Sequence, residues 1–331
     1  MGGHPYAVAT DDATGTIYVS DFSNDRLDAI NGTDELASDG AQVGHGPLGL
    51  AVDGATGTLY VADYAGNMVS LVNATLDTFG GSVPVGLLPY FVAVDTTSGY
   101  VYVPNSYSDN VSMISVSTNT VSLSLPAGKS PEGVAVDPLN GYVYVANALS
   151  NNVTVLNGST GAYVGSVAVG EFPVGVAVDV PTDRVLVTNL DSDNVTVINS
   201  STDEVIGSVP VGGAPYGIAA SSTNGSVYVA NSDSNNVSQL DALTRTVVGS
   251  FAVGSYPVGV AVDPDNGYVY VANFYSANVS VIGWEKAATP GGPPPSGSPG
   301  APLWPTYAAV GAAGAVAAIA VGVLVYRRSR R

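Results

Sequence analysis

Cysteine is absent from the chain, and only two histidines occur, His4 and His45. Thiol nucleophiles and thiolate metal sites are therefore excluded, and so is any multi-histidine metal or haem centre. No metal site and no cofactor is expected. The lack of disulfides does not count against the fold, because a sheet core of this size needs no staples. Basic side chains are scarce as well. Nine lysines and arginines stand against 27 aspartates and glutamates, and four of the nine are Arg327, Arg328, Arg330 and Arg331. The rest of the chain lacks the basic footprint that nucleic acid requires. Charged residues of both signs make up 11% of the chain, against roughly 25% in ordinary proteins. A surface so poor in charge and rich in Ser, Thr and Asn suits acidic surroundings.

What the chain has in abundance is repetition. Pro5 recurs as Pro47, Pro89, Pro131, Pro173, Pro215 and Pro257, each step being 42 residues without insertion or deletion. Each unit carries four short β-favouring runs. In the fourth unit these are 133–137, 142–147, 152–156 and 162–169, with Val143 and Val145 alternating against Tyr142 and Tyr144 in the period-two pattern of a strand. Asn, Asp, Gly and Pro fill the gaps between runs, which is turn chemistry. No helical period runs through the repeats. Four antiparallel strands per unit, repeated seven times, predict an all-β, seven-bladed β-propeller of four-stranded blades. A right-handed β-solenoid is the rival, but its coils are shorter and its hairpin turns less regular.

Tyr144, Val145, Ala146 and Asn147, followed by Asn152 to Asn157, resemble the YVTN β-propeller repeat family. The same motif recurs at 102–105, 186–189, 228–231 and 270–273, while the first two units carry Asp21 and Asp63 in place of its Asn. The resemblance covers residues 1–284 and implies a propeller. The family includes archaeal surface-layer proteins and secreted bacterial propellers, so for function it implies a surface role of unspecified kind.

The seventh unit stops after its third strand, near Gly283 and Trp284, so the count is seven inner triplets of strands and six outer strands. Either the last blade keeps an open edge, an aggregation liability, or the missing strand lies upstream of Met1 behind a signal sequence. The second is preferred, because Met1 falls where other units read Val or Ala before Gly, and because an anchored chain calls for a signal peptide.

Composition breaks at residue 285. Residues 285–303 are rich in Pro, Gly and Ser and predict a semi-extended stalk of ~50 Å at about 3 Å per residue. Residues 304–326 hold no charged side chain, long enough to cross a bilayer core of roughly 30 Å as a transmembrane helix. Trp304, Tyr307 and Tyr326 stand at interfacial positions, and the basic tail 327–331 follows, so the positive-inside rule puts the tail in the cytoplasm and the propeller outside. The expected localisation is the cell membrane, single-pass. Gly314, Ala318 and Gly322 form a small-residue ridge through which two such helices could dimerise.

Loops before each inner strand and after each second strand converge on one face of a propeller. They carry Tyr6, Phe22, Tyr64, Tyr90, Tyr107, Phe172, Tyr216, Tyr256, Phe274 and Tyr275. Aromatics gathered there can stack on glycan, clamp peptide or meet a surface protein; singly, they can also pack between blades. Asn-x-Ser/Thr glycosylation candidates occur in phase at Asn110, Asn152, Asn194, Asn236 and Asn278, and elsewhere at Asn31, Asn73, Asn157, Asn199 and Asn224. Aspartates six residues after the marker proline, Asp11, Asp53, Asp95, Asp137, Asp179 and Asp263, are expected to cap the following turn. Glu132 and Glu171, with Lys129, fall on the loop face, where the reading preferred over a catalytic pair is a surface salt-bridge cluster. A binding, adhesion or envelope module is the reading this favours. The alternative is an extracellular hydrolase or lyase using those carboxylates.

Overall fold

The computed structural model describes residues 3–32, 35–222 and 225–283, together with the backbone of Thr306–Val310. It forms seven four-stranded antiparallel sheets, each built from strands in chain order. The inner strands, among them Pro5–Asp11, Pro131–Val136 and Pro257–Val262, pack side by side around one axis.

The repeat builds each blade by alternation on two buried faces. Second strands such as Tyr142–Asn147 are buried along nearly their whole length, because one face meets the preceding blade and the other the next. Tyr102, Met113 and Leu125 of the third blade thus share a core with Val134, Val143 and Leu156 of the fourth. Outer strands behave differently: in Tyr163–Ala168 only Val167 is buried. Glycine at the second position after the marker proline answers a close approach. A Cβ on Gly133 would come within 2.1 Å of the Val174 carbonyl oxygen, and one on Gly217 equally close to that of Val258.

The predicted turn caps are present. Asp11 Oδ1 accepts from the Ala13 N–H at 3.1 Å, and Asp137 Oδ1 from that of Leu139 at 2.8 Å. The Asn of the Tyr-Val-x-Asn motif closes a second, buried network: Asn147 Nδ2 donates to Asn152 Oδ1 and to Thr154 Oγ1, at 2.8 and 2.9 Å. This Asn–Asn–Ser/Thr triad recurs in the third, fifth, sixth and seventh blades. In the first blade Asp21, Arg26 and Asp28 take its place as an ion-paired cluster, Arg26 lying 2.9 Å from Asp28.

One expectation is corrected. The seventh blade is not left without an outer strand: Thr306–Val310 pairs antiparallel with Asn278–Gly283, Tyr307 opposite Ile282 and Val310 opposite Val279. The third strand offers a row of unpaired N–H and C=O groups, and a Thr-Tyr-Ala-Ala-Val segment has the β propensity to fill it. Those five residues open the uncharged run 304–326, whose composition predicts a membrane helix and not a strand. Among the described residues, no helix is long and apolar enough to cross a membrane. The stalk 285–303, the remaining positions of the predicted span with Gly314, Ala318 and Gly322, the tail 327–331 and Asn224 lie outside the described residues.

Candidate functional site

The residue after each marker proline points at the axis. Around the ring these are Tyr6, Leu48, Tyr90, Glu132, Val174, Tyr216 and Val258. Three of them meet across the centre. Tyr6 Oη lies 2.8 Å from Tyr90 Oη, and the Tyr216 hydroxyl is hydrogen-bonded to both. The three phenols come from the first, third and sixth blades and form a closed triangle. The rings of Tyr90 and Tyr216 stand edge-on to that of Tyr6, at 6.2 and 6.0 Å. Burial drives all three phenols far above the usual tyrosine range, so they stay neutral.

Glu132 belongs to the same ring and is 6% exposed. Burial pushes its carboxyl up to about 8, with the Ser130 hydroxyl opposing the shift. Its charge, when present, is felt by Tyr6, Tyr64, Tyr90 and Tyr216. Lys129 does not join it: that ammonium is 2.6 Å from Asp109. Glu171 is exposed on the loop face, its N–H donating to Ser192 Oγ at 2.8 Å. The two histidines also part company. His4 stacks on Phe274 at 4.6 Å and bonds Ser23, whereas His45 Nδ1 lies 2.7 Å from Asp25.

Around this floor stand the other predicted aromatics. Tyr64 packs edge-on to Tyr90 at 5.9 Å, and Phe274 to Tyr6 at 6.1 Å. Phe22 and Tyr256 each lie 6.3 Å from Phe274, and Tyr275 covers Tyr256 at 4.8 Å. Phe172 is half-buried against the axial core. Ring contacts therefore run without a break from Tyr275, 48% exposed, through Phe274 to the buried Tyr6. Tyr107 stands apart on the same face, 73% exposed. Of the ten residues singled out in the sequence, three make the floor, five the wall and two the lip.

One residue further along the inner strands lies a cavity of about 140 Å³, walled by Gly133, Gly175, Gly217, Val134, Val176 and Phe91 among others. Phe91 replaces the ring's usual glycine, and the third blade's inner strand is cut to Ala93–Asp95. That departure from register is visible in the sequence, as is the heterogeneity of the axial position. What lies opposite what across the axis is not.

Two solved structures share this architecture. Hydrazine synthase from Kuenenia stuttgartiensis superposes with a TM-score of 0.76 at 18% identity, over 87% of this chain and 97% of that one. Streptogramin B lyase gives 0.71 at 12% identity, over 82% and 91%. Likeness at these identities establishes a propeller fold and leaves both binding and enzymatic roles open. No family model and no curated protein matches the chain.

Proposed function

We propose that the chain is a surface-displayed binding propeller that takes a glycan, peptide or surface-protein ligand on its loop face and is held to the membrane by its C-terminal segment. The observation that carries this reading is the unbroken aromatic path from Tyr275 through Phe274 to the axis. Rigid rings supply contact area at low entropic cost, and rings graded from exposed to buried offer a ligand one continuous aromatic surface. The Tyr-Val-x-Asn repeats, similar to those of archaeal surface-layer-type propellers, agree with display at a cell surface.

The anchor reading rests on the uncharged run ahead of Arg327, Arg328, Arg330 and Arg331. Beyond the strand, residues 311–326 reach about 24 Å as a helix against a core of roughly 30 Å. Insertion therefore either draws Thr306–Val310 off the seventh blade or thins the bilayer. Protease added to intact cells should cut within 285–303, leaving the propeller held to the anchor only through the pairing of Thr306–Val310 with Asn278–Gly283. A chain left uncut until lysis would sink the topology.

An array of glycans and peptides probed with the chain tests the binding reading. Binding that is lost with Tyr275→Ala at unchanged unfolding temperature supports it, and binding indifferent to Tyr275 and Tyr107 refutes it.

A further inference from the structure

We propose that the floor of the axial site recognises a primary alkylammonium group, its N–H bonds taken by the phenol oxygens of Tyr6, Tyr90 and Tyr216 and its charge met by Glu132. This rests on the binding reading and gives it a ligand class.

Hydrogen-bond arithmetic leads there. Each tyrosine hydroxyl has one proton and two lone pairs. In the closed triangle every hydroxyl donates once and accepts once. No phenol proton is left for Glu132, and each oxygen keeps one free lone pair. Three acceptors at the corners of a triangle match the three N–H bonds of a primary ammonium seated over it. They match neither a planar guanidinium nor a quaternary ammonium, which has no N–H at all.

Charge supplies the second half. Glu132 is buried, and among the described residues no Lys, Arg or His is ion-paired with it. Ionising a buried carboxyl alone is costly, and a cation arriving beside it removes that cost. The half-buried rings of Tyr64 and Tyr256 pack against the axial core, and an alkyl stem of four or so carbons would lie against them while the head reaches the floor. Two sources offer this chemistry: a free alkylamine and a lysine side chain of a partner protein.

Calorimetric titration of the full-length chain with n-butylammonium, Nα-acetyl-lysine amide, tetramethylammonium and n-butanol tests it. Saturable binding of n-butylammonium is expected, with tetramethylammonium and n-butanol at least about tenfold weaker. Glu132→Gln should weaken n-butylammonium about tenfold or more, and Tyr216→Phe by several-fold, both with the fold intact by circular dichroism. Binding of the lysine amide at similar strength would assign the site to a partner's lysine, and its failure beside bound n-butylammonium to a free amine. Equal affinity for tetramethylammonium, no change with Glu132→Gln, or no saturation below about 50 mM would overturn the proposal. A silent array with n-butylammonium bound removes the adhesion reading alone. A responsive array without n-butylammonium binding removes this inference alone.

Discussion

Asn235 of the sixth blade accepts a hydrogen bond from the backbone N–H of Tyr256 at 2.8 Å, latching that blade to the seventh. Both residues are left-handed, with φ of 54° and 55°. The latch recurs from Asp25 to Gly46, Asn67 to Leu88, Asp109 to Ser130, Asn151 to Phe172 and Asp193 to Ala214. At the closing seam the side chain is missing, for Ala277 holds the position. There the His4 N–H turns to Asp21 of its own blade, and the His4 ring stacks on Phe274. The aromatic wall of the candidate site is thus also the clasp of the ring.

Asn235→Ala removes the acceptor and places a Cβ-bearing residue with no compensating local bond in the left-handed region. It should cost about 1–2 kcal/mol, or a few degrees in unfolding temperature for a domain of this size. Asn235→Gly should recover part of the loss. An unfolding temperature unchanged in Asn235→Ala would show that the latch is idle.

The floor and the lip should respond differently to substitution. Tyr216→Phe leaves two phenols able to bond each other and should cost about 1 kcal/mol. Tyr216→Ala opens a cavity in the axial core and should cost about 3–5 kcal/mol. Chemical denaturation measures both. If Tyr216→Ala were neutral, the triangle would be an ornament of the surface rather than a packed plug.

Stability should fall as pH rises. Burial holds the carboxyls of Asp28, Asp63 and Glu132 up to about 6, 7 and 8, above their ordinary values of 3.8, 3.8 and 4.5. Between those values the folded chain keeps protons that the unfolded chain has released, so stability declines with rising pH through the window and levels above it. Thermal melts should give a higher midpoint near pH 5 than near pH 8, and Glu132→Gln should flatten the difference. A midpoint that climbs over the same range would contradict the buried-carboxyl account.

The phased sequons owe their regularity to the Asn–Asn–Ser/Thr triad. Asn152 accepts from Asn147, and the Thr154 hydroxyl is buried. Asn73, Asn157 and Asn199 instead sit at turns, their side chains accepting from Leu76, Thr160 and Thr202 N–H groups. In a host that glycosylates, glycopeptide mapping should find glycan on turn sequons and none at Asn110, Asn152, Asn194, Asn236 or Asn278. Occupancy at the phased five would mean that glycan is added before the blades close.

The blade plan was legible because a 42-residue period, alternation and turn residues all report local structure. Asp137 announced its cap by position alone. The axis was not legible. Tyr6 and Tyr216 are 210 residues apart, and periodicity places each on its strand without saying that their hydroxyls meet. Glu132 looked like one member of a surface charge cluster, since Lys129 stands three positions before it; burial separates the two. The outer strand at Thr306–Val310 was hidden because an uncharged β-competent segment at the head of an apolar run reads equally well as the start of a helix.

The most direct test of the account is an array of glycans and peptides probed side by side with the unaltered chain and with the paired variant Tyr107→Ala, Tyr275→Ala. Both side chains are exposed, at 73% and 48%, so the fold should be unaffected. The account predicts ligands for the unaltered chain and their loss in the variant at equal unfolding temperature. An identical pattern of binding in both would contradict it.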